Sequence, residues 1–253
     1  MRLLMAILLA SFSMASLASG ATNALSQYKS YENSLLSNFG SGRVIRASND
    51  GTTRWILYNE GMLGYSYSKL GNTFLHSADI GYSTYIMSVS SMRGVYPYVG
   101  VEITVPIYIK QKGDSNAFAT DPTAAGLPNG TKLLGEMGFN GWGVQVPVVI
   151  GLQMKSFYIQ AMGGYAYHSI KDVFYKSATE NDWSLTNTYQ GIIYGAGLGV
   201  RLKNTFSAGL RFIMGDLNST LRDPEQPGLQ PHLRAKDFQS PYWRASVIFG
   251  VCF

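Results

Sequence analysis

The chain has 253 residues and a net charge of +5, yet only 14% of its residues are charged, against about a quarter in an ordinary soluble domain. A mean hydropathy of +0.01 excludes a bundle of membrane-crossing helices, no basic run marks a nucleic-acid surface, and the lone Cys252 excludes an intramolecular disulfide framework. With 28 Gly, 17 Tyr and 12 Phe, the composition fits strands that are half apolar and half polar.

The first residues, MRLLMAILLASFSMASLASGA, read as a secretory signal over 1–20. Arg2 supplies the positive start, Leu3 to Phe12 the apolar core, and Ala18, Ser19 and Gly20 the small residues of a cleavage site. The apolar core is too short to span a bilayer. Residues 21–57 read as an extension ahead of the main domain. In it Tyr28, Tyr31, Leu35 and Phe39 have the spacing of a short amphipathic helix, with a disordered leader as the alternative. RVIRASNDGTTRWIL reads as a hairpin turning at Asp50-Gly51.

From 58 to 253 one theme repeats: a stretch of alternating residues, a turn, another such stretch. In VYPYVGVEITVPIYIK, Val95, Val99, Val101, Ile103, Val105, Ile107 and Ile109 form one face. In GWGVQVPVVIGLQM the apolar face runs from Trp142 to Met154. A tight turn leads to Phe157, Ile159, Ala161, Gly163, Tyr165 and Tyr167. GIIYGAGLGVRL sets Ile192, Tyr194, Ala196, Leu198, Val200 and Leu202 against Gly191, Gly195, Gly197, Gly199 and Arg201. After Lys203-Asn204, Phe206, Ala208, Leu210, Phe212 and Met214 form the outward row. Two earlier strands, 58–69 and 74–88, alternate less cleanly. With the final strand the count is eight, or ten if the front of the domain is divided differently. This period of two marks strands with one face in an apolar medium, and each segment has the 9–11 residues a tilted strand needs to cross a bilayer.

Short turns alternate with long polar connections at 112–132, 171–188 and 216–240, the pattern of outer-membrane barrels with short periplasmic turns and long external loops. Both termini then lie on the periplasmic side. The fold class expected is an all-β, antiparallel up-and-down transmembrane barrel. Trp55, Tyr65, Tyr67, Trp142, Tyr165, Tyr167 and Trp243 suit aromatic girdles at the two interfaces.

The chain ends on SPYWRASVIFGVCF, in which Trp243, Val247, Phe249, Val251 and Phe253 alternate to the last residue. This resembles the C-terminal signal strand by which bacterial outer-membrane barrels are recognised during assembly. YGAGLGVRLKNTFSAGLRFI resembles the late hairpin of the opacity-protein and OmpA-like eight-stranded superfamily. The resemblance implies a small outer-membrane barrel, exported to that membrane, with the barrel assembly machinery, periplasmic chaperones, lipopolysaccharide and phospholipid as partners. The extension 21–57 departs from the family, whose barrels start soon after the signal.

An eight-stranded barrel is just wide enough for its side chains to fill it. Alternation places Asp79, Glu102, Arg201, Arg211 and Arg244 inside, with Lys110 and His168 nearer the outer end. Enclosed arginines and carboxylates are expected to pair, either as a plug or as a gated polar path. Only His76, His168 and His232 are available as catalytic bases. His168 and Ser169 point to opposite faces of one strand, so no catalytic site is expected; with no acidic cluster at calcium-loop spacing and no Cys/His cluster, no metal site is expected, and no cofactor. The role expected is that of a structural or surface protein making host contact through the three long loops, with a narrow channel as the alternative and a lipid-modifying enzyme third.

Overall fold

In a computed structural model the described residues are 42–48, 53–71, 73–90, 94–113, 131–133, 137–154, 156–175, 183–202, 205–222 and 238–253. The signal at 1–20, the candidate helix near 28–39, Asp50-Gly51 and His232 lie outside them.

Ten strands are present: β1 (Arg43–Ala47), β2 (Thr53–Leu70), β3 (Thr73–Ser90), β4 (Val95–Gly113), β5 (Thr131–Leu133), β6 (Met137–Met154), β7 (Phe157–Tyr175), β8 (Trp183–Leu202), β9 (Phe206–Arg222) and β10 (Phe238–Cys252). Eight of them form the ring. β2, β3, β4, β6, β7, β8, β9 and β10 each pair antiparallel with the next, and β10 returns to β2 from Tyr242↔Leu70 to Cys252↔Glu60. Closure leaves no unpaired edge around the ring, the one way a sheet can stand in hydrocarbon.

The two short strands prolong ring strands rather than widen the ring. β1 pairs with residues 54–57 of β2, continuing the line of β10 past its C-terminal end. A hydrogen bond from Ser48 N to Thr53 O (2.8 Å) and one from Thr53 N to Ser48 Oγ (3.0 Å) close the hairpin. β2 therefore starts at Thr53, ahead of the boundary expected at 58, because Thr53 pairs with Ser90 of β3 and residues 54–57 have partners on both sides, in β1 and β3. At the other end β5 pairs with Val173–Tyr175 of β7, above the last β6–β7 pair, Gly141↔Ile170.

The connections alternate as the sequence suggests, with narrower loops. β7 runs to Tyr175, β8 begins at Trp183, β9 reaches Arg222 and β10 begins at Phe238. Pairing continues beyond the lipid-facing part of the wall, so the strands take residues from both ends of the expected connections 112–132, 171–188 and 216–240. The β2–β3 ladder ends with Leu70 paired to Thr73. Gly71 has φ 58°, a left-handed conformation that glycine adopts without a Cβ penalty.

Within each ring strand burial alternates, and the outward rows are apolar. Leu63, Ile80, Ile150, Phe157, Ile192, Leu198, Phe206 and Phe249 are all exposed large side chains. A soluble protein would not show such a belt. The seven aromatic side chains expected at the interfaces all face outward. Near the long-loop end Trp142 packs on Tyr167 (5.9 Å between centroids) and Tyr67 on Trp243 (5.7 Å).

Candidate functional site: the ionic lumen

Glycine and tyrosine on the inner rows set the shape of the lumen. A Cβ on Gly209 would stand 2.2 Å from the Tyr158 hydroxyl, and one on Gly151 would stand 2.3 Å from Tyr98 Cζ. Bare backbone on one strand thus makes room for a ring from another, and the lumen fills without the strands parting.

Into this packing the strands send charges at three levels. Nearest the C-terminus, Arg201 (β8) donates from Nη1 to Gln153 Oε1 at 2.8 Å, and its Nη2 lies 3.7 Å from Glu60 Oε2. Its guanidinium is caged by the rings of Tyr158, Tyr85 and Tyr98, with centroids at 4.4, 4.5 and 5.1 Å. Such cation–π contacts replace part of the water lost on burial. Glu60 also accepts hydrogen bonds from the hydroxyls of Tyr85 and Ser207.

At mid-height Arg211 (β9) is ion-paired with Glu102 (β4). Glu102 Oε1 also accepts from Thr104 Oγ1 at 2.9 Å. At the third level Arg244 (β10) meets Asp79 (β3) at 2.6 Å. It donates from Nε to Ser66 Oγ at 2.9 Å and from Nη1 to Gln145 Oε1. Asp79 Oδ1 accepts from Ser77 (2.9 Å) and Ser66 (3.2 Å). Gln145 donates onward to the Tyr242 hydroxyl at 2.6 Å, and the Tyr108 hydroxyl lies 2.8 Å from His168 Nδ1. Beyond the charges, the fully buried Leu70, Leu75, Ile170, Tyr189 and Leu217 cap the long-loop end.

All five ionisable residues assigned to the interior stand on inner rows, and the structure brings four of them together in two pairs. The fifth, Arg201, is matched by Glu60, which alternation did not single out. Its row on β2 also holds Ile56, Tyr58, Met62 and Leu70, all buried, so the polar face of this strand is hidden among apolar residues. With Glu60 included, each of the three buried guanidiniums has one carboxylate, and the formal charges of these six residues cancel. A sum over the assigned residues alone would have signalled the missing carboxylate.

Lys110 is a correction: it faces outward. The β3–β4 register passes from His76↔Lys110 to Ser77↔Tyr108, so Ile109 is an extra residue, a β-bulge. The bulge shifts the alternation by one, putting Gln111 inside and Lys110 outside. His168 is fully buried in the lumen, while His76 stands on the outer wall. Trp243, Val247, Phe249, Val251 and Phe253 all face outward on β10. Phe253 N donates to Asn59 O at 2.9 Å, and its ring lies 6.3 Å from that of Tyr82. Cys252 is a buried free thiol on the inner row.

No protein-family model matches this chain, and no curated protein matches it either. Among solved structures it is similar to Ail, the attachment invasion locus protein of Yersinia pestis, crystallised with the heparin analogue sucrose octasulfate. That match has 10% identity and a TM-score of 0.39, over 78% of this chain and 99% of that one. It is also similar to the N-terminal β-barrel domain of Pseudomonas aeruginosa OprF, at 12% identity and a TM-score of 0.34, over 80% and 98% of the two chains. A major outer membrane protein from Thermus thermophilus matches at 10% identity and a TM-score of 0.35, over 77% and 99%.

Proposed function

We propose that the protein is a bacterial outer-membrane barrel with a closed lumen, which works at the cell surface through its wall and external loops in a structural or adhesive role. Export through a cleaved signal at 1–20 and periplasmic termini belong to this reading. So does recognition by the assembly machinery of the outward apolar row Trp243, Val247, Phe249 and Val251 of β10 together with Phe253. The observation that carries it is the set of three buried arginine–carboxylate pairs joining non-adjacent strands at three levels of the lumen. Passage of a hydrated solute would require these pairs to part, and separating a buried pair costs several kcal/mol (~3–5).

The test is single-channel conductance of the refolded mature protein in a planar bilayer, after a heat-dependent gel shift has shown that it is folded. Silence is expected. Glu102→Ala should lower thermal stability and leave the bilayer equally silent. Reproducible discrete openings would sink the closed-lumen reading in favour of a narrow channel, with Glu102, Arg201 and Arg211 the residues to mutate first. An enzymatic role is not part of the proposal; lipid turnover by the refolded protein, abolished by a single His or Ser substitution, would overturn that.

A further inference from the structure

The outer wall carries few charges, and their placement is uneven. Among described side chains facing outward from ring strands, the charged ones are Lys69, Lys110, Lys171 and Asp216, all toward the long-loop end. Lys69 and Lys110 share one side of the barrel. Strand register sets Tyr67, His76 and Lys110 abreast on β2, β3 and β4, with Lys69 and Phe74 paired one row further out. The rings make a continuous floor: Tyr67 lies 5.7 Å from Phe74, 4.9 Å from His76 and 5.7 Å from Trp243, centroid to centroid. Lys69 Nζ stands 5.5 Å from the Phe74 centroid. Among the described residues neither lysine is ion-paired. The carboxylate of this wall, Asp216, is on β9, with β10 between it and β2.

We propose that this patch binds the phosphorylated sugar headgroup of an acylated glycolipid of the lipid A class in the outer leaflet. The inference rests on the outer-membrane reading above. Two cations flank an aromatic floor at the level of the interfacial girdle, where a lipid headgroup lies and its acyl chains can run down the apolar belt below. The chain reaches this arrangement through an irregularity: without the bulge at Ile109, Lys110 would point into the lumen. A cation at this depth is stabilised by an anion beside it, at about a fivefold gain in binding per lysine near a charged surface. A phosphate supplies that anion, and the aromatic floor offers a flat face to a sugar ring. A lysine that merely reaches for water is the ordinary alternative, and it requires no particular lipid.

The test uses the full mature chain in phosphatidylcholine vesicles, with flotation and a heat-dependent gel shift reporting insertion. Binding is then titrated with bisphosphorylated lipid A, dephosphorylated lipid A and phosphatidylglycerol. Bisphosphorylated lipid A should bind tightest. Lys69→Gln with Lys110→Gln should weaken it at least tenfold, and leave the weak binding of the dephosphorylated form unchanged. Lys171→Gln, on β7, should change nothing. Equal binding by wild type and the double variant overturns the proposal. So does an equal loss in Lys171→Gln, which would mean general surface charge, or equal preference for phosphatidylglycerol, which would mean any anionic lipid. Failure of the wild-type chain to insert sinks the membrane reading and this proposal together, whereas insertion without selectivity sinks only the latter.

Discussion

Replacing Glu60 with alanine is expected to cost the folded barrel about 3–5 kcal/mol, the penalty for leaving one partner of a buried ion pair unmatched. Arg201 would remain enclosed by Tyr85, Tyr98 and Tyr158, still donating to Gln153. The hydroxyls of Tyr85 and Ser207 would lose their shared acceptor. Glu60→Gln keeps an acceptor for those hydroxyls, so its loss should be smaller, with the uncompensated charge as the remainder. The check is the urea midpoint for unfolding from lipid vesicles, read by the gel shift. The mid-height pair supplies a contrast: Glu102→Leu together with Arg211→Met removes both charges, and should cost clearly less than Glu102→Leu alone. If the double variant lost as much as the two single variants added together, the pairing account of the lumen would be wrong.

How much of this was legible in the sequence depended on which residues filled the inner rows. Between 191 and 214 the inner rows are mostly Gly and Arg, broken by Ile193, Ser207 and Ile213, and the outer row is continuously apolar, so strands, faces and turn are read directly. At 95–110 and 141–154 the same contrast held until the bulge, for which no residue type gives a signal: Ile109 is as apolar as the outward residues before it. The front two strands were hard because their inner rows are themselves apolar. Ile56, Tyr58 and Met62 on β2, and Leu75, Tyr85 and Met87 on β3, are buried inside the lumen, whereas Leu63, Tyr65, Ile80 and Tyr82 are exposed outside it. Where both faces are apolar for different reasons, a period of two does not say which is which. For that reason alternation does not mark Glu60 as an inner residue, and the pattern places the strand start at 58 whereas β2 begins at Thr53. The pairing of arginines with carboxylates needed no such detail, because it follows from enclosure.

The second large effect concerns the glycine-rich strand. Gly195 lies on the inner row of β8, and a Cβ there would stand 2.1 Å from Phe212 O and 2.9 Å from Ile213 Cα. Both are backbone atoms of β9, so neither can rotate away as a side-chain tip would. Gly195→Val must push β8 and β9 apart along the pairing that runs from Ile193↔Gly215 to Gly197↔Arg211, and Arg211 carries the mid-height ion pair. Overpacking in a well-filled interior costs about 1–3 kcal/mol where side chains can adjust, and more is expected here because ladder hydrogen bonds are broken as well. The variant should fail to give the folded band under conditions in which the wild type refolds. Gly163 provides the control. It sits on the outward row of β7 with nothing within 4 Å of its would-be Cβ, so Gly163→Ala should refold as the wild type does. Refolding yields of the two variants, measured side by side, separate a glycine the lumen requires from one that merely faces lipid. Equal yields would mean that the close approach of β8 to β9 is not what the glycines of this strand provide.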